Sequence, residues 1–552
     1  MKKKMRNVVT QVTAYIAKYR FPVATVVLAL SLILPYLFLP FGVDFTDTPY
    51  HLVKSHHYLS YPMTVLSYHL IGKWQEWTGG PILLNRFAVL FFMQLSGFLL
   101  IRLPLRQNCK LTRYLALITL NVLLSLFPVT TLLGYDTVST VLIVGTFCAL
   151  YSYEKRGFSV GYLILSALFS VLAVFSRLPN LVMLPAVVLW LAILAYSRCM
   201  ERKRALISLA LFITSFVCLS LLVFYYYYSS FGFVLRNYRN EPGGHGFYTL
   251  LQNYFIGVLK CISWIGVLTL VYMGFSEMNK YKKANYIIYL SGSCVFAGIL
   301  FLLLVTENKP YNFELTYLLI GLFAILILSA AYPVLRSGVL VTRENGFFFL
   351  IGLFFLIPIA GSQSGLFKAN VIFFIPFLIR LFWTRFSQPV KCTFLSVMMA
   401  VLLYLPVQRM RFQYEDRGIL RTQAKVEHPA LWGIRTTAAR KVYLESVMSD
   451  LKALRGPYIF VGRMRHMFDF LSRQDGVYSE KFWSYLDDDD YVADTQRHLS
   501  EKRIQTVFLV PDYPDYPEQI KFGENKLEAM LIRQGYVLSK DAATYRSYQR
   551  SQ

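Results

Sequence analysis

The sequence predicts an α-helical polytopic membrane protein of about thirteen transmembrane helices, followed by a small extracytoplasmic α/β domain. Three observations carry that prediction. Mean hydropathy is +0.46, with 56% hydrophobic and only 16% charged residues, which excludes an ordinary soluble globule. Apolar segments close to the roughly 20 residues needed to cross a bilayer recur as far as residue 405. Basic residues cluster in every second loop between those segments.

The apolar cores run over 21–40, 83–101, 114–133, 138–153, 160–175, 178–196 and 205–226, then 255–275, 284–305, 315–335, 347–360, 366–382 and 392–405. The first follows a basic stretch containing Lys2, Lys3, Lys4 and Arg6, and no small-residue cleavage site follows it, so it reads as an uncleaved anchor. The net charge of +25 resembles a nucleic-acid signal until its distribution is considered. Arg102, Arg106, Lys110 and Arg113 share one loop, Arg198, Arg202, Lys203 and Arg204 another, and Arg380, Arg385 and Lys391 a third. This alternation is a topology signal, with no nucleic-acid partner implied. It places the N-terminus and these loops in the cytoplasm, and the intervening loops and C-terminal part outside the cytoplasmic (inner) membrane.

The chain divides into a membrane region, 1–406, and a soluble region, 407–552. Within the first, an outer loop spans 41–81. After Pro62 its apolar positions Met63, Leu66, Leu70, Trp74 and Trp77 recur at helical spacing, predicting an amphipathic helix on the membrane surface or packed on neighbouring spans. The soluble region alternates a helix through Val442, Val447, Leu451 and Leu454 with strands at 458–461 and 506–510. A helix around Leu527 and Leu531 ends at Gly535, before a third strand at 536–538. The seven cysteines end at Cys392, so no disulfide framework holds the soluble region.

Candidate chemistry concentrates on the outer side. Asp44 and Asp47 sit just beyond the first apolar segment, where a carboxylate is costly unless it has work to do. Asp47 near a hydrophobic boundary is suited to act as a general base, since desolvation raises basicity. Equally, both acids suit the cap of a helix with Pro49 in its first turn. Asp136 opens the fourth span as either a cap or a second acidic site. Arg177, Lys368 and Lys309 lie on the same side, and either snorkel to headgroups or hold a lipid phosphate. Glu76, Glu241, Glu307 and Glu314 share that side.

His51, His56, His57 and His69 crowd the first loop. Asp47 and His51 have i, i+4 spacing, but without a metal-site signature these histidines read as solvated helix faces. No metal ligand set is assigned, no cofactor is firmly implied, and a divalent metal is left open. The Tyr225–Tyr228 run reads as an interfacial aromatic belt. Asp487 to Asp490 lack the glycine and distal glutamate of a calcium loop and read as solvated. Phosphate-binding loops and nucleophile elbows are missing.

The sequence Asp44-Phe45-Thr46-Asp47-Thr48-Pro49-Tyr50, the stretch from Pro62 to Arg86, Asp136 and Arg177-Leu178-Pro179 together resemble the integral-membrane GT-C glycosyltransferases of the mannosyltransferase and aminoarabinose-transferase kind. The common Asp-Glu pair reads Asp47-Thr48 here, and the His-Pro-Pro and Trp-Trp-Asp signatures are missing, so the acceptor class stays open. The resemblance implies inverting transfer of a sugar from a polyprenyl-phosphate donor to a lipid, glycan or protein acceptor. Asp47 would be the base and Asp44 would orient the acceptor or a neighbouring cation. Arg177, Lys368 and Lys309 would hold the lipid phosphate. A transporter or flippase for lipid-linked glycans, and an O-antigen-type polymerase or ligase, are the alternatives. No internal repeat supports transport.

Overall fold

The computed structural model describes residues 22–551 apart from 63, 104–109, 128–132, 198–199, 229–246, 281–285, 307–312, 337–342, 363, 414–415, 455, 473–485, 511–521 and 524. Lys309, Glu241 and Glu307 lie outside the described residues.

Helix limits follow the punctuation of the sequence. The first apolar helix, α1 (Pro22–Phe38), tightens into a 3₁₀ turn around Pro35 and leads into the acidic loop. Two short amphipathic helices follow, α2 (Asp47–Ser55) and α3 (Val65–Thr78), the second stopped by Gly79 in the left-handed conformation at φ +77°. Then come α4 (Ile82–Arg102), α5 (Lys110–Leu126), α6 (Tyr135–Lys155), α7 (Val160–Ser176), α8 (Met183–Tyr196) and α9 (Arg202–Tyr227). The bundle is completed by α10 (Phe247–Lys280), α11 (Tyr286–Thr306), α12 (Phe313–Leu335), α13 (Arg343–Leu356), α14 (Val371–Phe382) and α15 (Gln388–Arg411).

Each of the thirteen apolar segments coincides with one of these helices. Eight helices among the described residues are long and apolar enough to cross a membrane; α1, α7, α13 and α14 are shorter apolar helices, and α5 falls in neither class. The chain is a multi-pass membrane protein. Its lipid-facing helices α9, α10 and α11 expose leucines and isoleucines along most of their length, whereas α12 and α15 are mostly buried at the centre of the bundle.

The centre is aromatic. Phe147 on α6 packs edge-on against Phe354 of α13 and against Phe374 and Phe377 of α14, with centroid separations of 5.5, 5.1 and 5.4 Å. Each such pair stabilises by about 0.5–1.5 kcal/mol beyond its buried area. These contacts fix α6 against the segment that carries Lys368, which matters for the site.

The α3 helix has two faces. Val65, Leu66, Tyr68, Ile71 and Gln75 are buried, and the helix approaches α2 so closely that a Cβ on Gly72 would lie 2.8 Å from the Ser55 carbonyl oxygen. Leu70 and Trp77 point outward, Trp77 80% exposed. The helix therefore packs on its neighbours through one face and leaves the other exposed. The tyrosine run behaves differently from a simple belt: Tyr225 and Tyr226 are exposed, but Tyr227 and Tyr228 are buried. Tyr227 Oη lies 2.7 Å from His69 Nδ1, and Tyr228 donates to the Pro62 carbonyl at 2.9 Å.

After α15 the chain makes two small hairpins, β1 (Phe412–Gln413) with β2 (Asp416–Arg417), and β3 (Ala424–Lys425) with β4 (Arg435–Thr436). Helix α16 (Ala438–Lys452) leads to a four-stranded sheet of β5 (Tyr458–Val461), β6 (Thr506–Leu509), β7 (Tyr536–Asp541) and β8 (Arg546–Arg550) in the order β5-β6-β8-β7. The β5–β6 pair is parallel, with Tyr458 opposite Thr506, and the other two pairings are antiparallel. Helices α17 (Arg465–Ser472), α18 (Asp489–Glu501) and α19 (Lys526–Arg533) complete this part.

The pleat divides the strands between two cores. Ile459, Val461, Val507 and Leu509 join Leu499, Leu527 and Leu531 on one face. Phe460 and Phe508 face the other way, into the core continuous with the membrane bundle. Strand β8 escapes sequence reading because Arg-Ser-Tyr-Gln-Arg carries little apolar signal. Asp488 turns out to cap α18, accepting from Tyr491 N at 2.9 Å, so the acidic run begins a helix.

Candidate active site

The acidic loop is clamped from two sides. From α4, Arg86 donates to the carbonyls of Leu39 at 2.8 Å, Phe41 at 3.3 Å and Gly42 at 2.9 Å. From the C-terminal part, Arg435 N donates to Pro40 O at 2.7 Å and Arg435 O accepts from Gly42 N at 2.8 Å. Asp416 accepts from Val43 N at 2.8 Å and from Thr436 Oγ1 at 2.7 Å. Its other oxygen lies 3.4 Å from Arg440 Nε, and Arg440 in turn donates to Val43 O at 2.7 Å. Phe45 then packs against Tyr443 and Phe468, which also meet each other at 5.3 Å.

This clamp separates the two acids. Asp44 is buried and accepts from the backbone N–H groups of Thr46 at 2.8 Å, Asp47 at 3.1 Å and Thr48 at 2.6 Å. Its carboxylate satisfies the first turn of α2, a capping role. Asp47, the first residue of α2, is only partly buried.

One turn after Asp47, His51 is buried, which corrects the solvated-face expectation. Its Nδ1 lies 3.0 Å from Tyr68 Oη, and its ring meets Tyr135 edge-on at 5.2 Å. The ring sits so close to the start of α6 that a Cβ on Gly134 would approach it to 2.9 Å. Burial, with Lys54 and Lys368 nearby, lowers the imidazole to about 3 despite the opposing field of Asp136, so it is neutral at physiological pH. Lys54, one turn further on, is also buried, its ammonium 4.2 Å from the Tyr50 ring centre and 3.9 Å from that of Tyr61.

Asp136, in the first turn of α6, meets both membrane-edge cations. Lys368 Nζ is 2.7 Å from one carboxylate oxygen and Arg177 Nε is 3.5 Å from the other. Arg177 ends α7 and also donates to Pro358 O at 2.9 Å. Lys368 closes a short 3₁₀ turn, Gly365–Lys368, before α14. Two cations on one carboxylate leave a surplus positive charge. Asp136 and Lys368 keep 29% and 23% of their side-chain surface accessible, while Arg177 keeps 7%. The structure thus gathers Asp136, Arg177 and Lys368 at the start of α6, against which the ring of His51, one turn after Asp47 on α2, is packed.

Among the described residues, Glu314 and Glu76 do not join them. Glu314 pairs with Lys260 and accepts from Trp264 Nε1 at 3.1 Å, holding α10 to α12. Glu76 forms an exposed i, i+3 pair with Lys73. Sequence reasoning passed over Tyr50, Lys54 and the buried helix α17, whose His466 packs edge-on against Tyr50 at 5.0 Å. The available signal was the Asp47, His51, Lys54 spacing, which puts all three on one side of α2. On α17, Arg465 and Asp469 are buried one turn apart, and burial raises the Asp469 carboxyl to about 7 against the opposing field of Arg465. No group of three or more His, Cys, Asp or Glu side chains suited to a metal ion occurs among the described residues.

Solved structures offer distant likenesses. An archaeal oligosaccharyltransferase, AglB from Archaeoglobus fulgidus, in complex with an inhibitory peptide and a dolichol-phosphate, is 12% identical, with a TM-score of 0.48. The match covers 98% of this chain and 75% of that one. The same oligosaccharyltransferase with Zn and sulfate gives 11% identity and a TM-score of 0.49, over 96% of this chain and 73% of that one. ArnT from Cupriavidus metallidurans bound to undecaprenyl phosphate gives 11% identity and a TM-score of 0.43, over 97% and 98% of the two chains. No family model and no curated protein sequence matches.

Proposed function

We propose that the chain is a membrane glycosyltransferase that moves a sugar from a polyprenyl-phosphate carrier to an acceptor on the outer face of the cytoplasmic membrane. The observation that carries the proposal is the Asp136–Arg177–Lys368 cluster, an accessible site with surplus positive charge at the end of the apolar bundle and adjoining the helix that bears Asp47. A phosphate leaving group on a lipid chain needs this combination of cations and a lipid-side approach.

In this reading the acceptor hydroxyl gives its proton to Asp47 as its oxygen attacks the anomeric carbon from the face opposite the lipid phosphate. The glycosidic bond to phosphate breaks, the phosphate keeps the electron pair, and the anomeric configuration inverts. Lys368 and Arg177 stabilise the charge on the departing phosphate, with Asp136 holding the two cations in place. Neutral His51 spaces α2 from α6 without adding charge. The C-terminal region, 407–552, fixes the acidic loop and faces the acceptor. Lys309 is assigned to the same phosphate on its position in the sequence alone.

Asp47→Asn in purified protein is expected to abolish transfer of a radiolabelled sugar from a polyprenyl-phosphate donor while leaving thermal unfolding unchanged. Full retained transfer would overturn the role of Asp47 as base.

A further inference from the structure

At the junction of the bundle with the C-terminal part lies an open cavity of about 600 Å³, lined by Val305, Met410, Arg411, Phe412, Arg417 and Arg421. It shares no residue with the Asp136 cluster. We infer that this cavity binds the phosphate of an anionic membrane-lipid headgroup, with Arg411, Arg417 and Arg421 as its ligands.

Three features carry the inference. The first is charge: three arginines and no carboxylate stand among the described lining residues, a composition that suits a phosphate. Among the described residues next to Arg417, Asp416 is buried and engaged by Arg440, Val43, Thr436 and the Arg417 backbone N–H.

The second is construction. Arg411 donates to Val305 O at 3.0 Å, which bridges the outer ends of α11 and α15. The turn bearing Arg421 is strapped to the end of α15: Ile419 N donates to Arg409 O at 3.0 Å, and Arg421 N to Gly418 O at 2.9 Å. Gly418 lies so close beneath that a Cβ there would overlap the Met410 carbonyl oxygen at 1.7 Å. Arg417 is held in the β1–β2 ladder opposite Phe412. The arginines are therefore placed by backbone and not left to float.

The third is position. Leu302, Leu303, Leu402, Leu403 and Met410 expose apolar surface on α11 and α15 just below the cavity, and Leu420 does so beside it. Acyl chains lying along those helices would bring a headgroup phosphate level with the arginines.

The test uses the full chain in neutral detergent, titrated with phosphatidylglycerol, phosphatidylcholine or inorganic phosphate and read by native mass spectrometry. Phosphatidylglycerol adducts are expected on the native chain, weakened about twenty-five-fold in the Arg417→Gln/Arg421→Gln double variant, taking about fivefold per arginine. The Arg417→Lys/Arg421→Lys variant, which keeps the charge, should retain most of the binding and serves as the folding control. Equal retention in the glutamine variant, or equal binding of phosphatidylcholine, would overturn the inference. Displacement of phosphatidylglycerol by inorganic phosphate at similar concentration would assign the cavity to free phosphate and overturn the lipid source. The Asp47→Asn chain should bind phosphatidylglycerol unchanged, so failure of the transferase proposal is read separately.

Discussion

Lys368 and His51 make separate contributions that separate measurements can resolve. Lys368→Met leaves Asp136 with Arg177 alone and removes the more accessible cation. Transfer from a lipid-linked donor is expected to fall about a hundredfold, as for loss of one preorganised charge-stabilising group, with partial rescue by Lys368→Arg. The kcat of the purified variants checks this. His51 is held neutral to about pH 3, below the roughly 6.5 of an unfolded chain. The stability it contributes is complete above pH 6.5 and is lost as pH falls toward 3, because the unfolded chain takes up the proton first. Between pH 7 and pH 5 this costs about 2 kcal/mol. Thermal unfolding at the two pH values should therefore differ less in His51→Gln than in the native chain.

Among elements, α2 organises the site. At its start Asp44 accepts from the backbone N–H groups of Thr46, Asp47 and Thr48. Asp44→Ala should cost about 1–2 kcal/mol, measured by thermal unfolding, and reduce transfer through misplacement of Asp47. That outcome contrasts with Asp47→Asn, for which stability is expected to hold while transfer is lost. The sequence left cap and catalytic roles open for both acids because each lies within reach of the same helix start. The fold divides them: Asp44 is turned inward beneath Val43 and Phe45, and Asp47 stays at the surface of the helix.

For the whole molecule, the C-terminal part and the membrane bundle share one hydrophobic core, in which Phe45 packs against both Tyr443 and Phe468. The buried Asp416–Arg440 pair ties both to the acidic loop. Removing one partner of such a pair leaves the other charge buried and uncompensated. Arg440→Met is expected to cost about 3–5 kcal/mol and to expose the loop to proteolysis near Val43, which limited digestion followed by mass spectrometry would detect.

Hydropathy alone located the thirteen apolar segments, each of which falls on a described helix, because a bilayer forces long runs of one solvent preference on a chain. Strands β5, β6 and β7 were legible through apolar runs stopped by turn residues, while polar β8 was not. Tertiary structure decided which distant charges meet. Asp136 and Lys368 are 232 positions apart and share a hydrogen bond because Phe147 draws α6 against α13 and α14. Spacing along a chain describes one helix at a time. The burial of His51, the inward turn of Asp44 and the pairing of Asp136 with two cations arise from packing between helices, which periodicity does not encode.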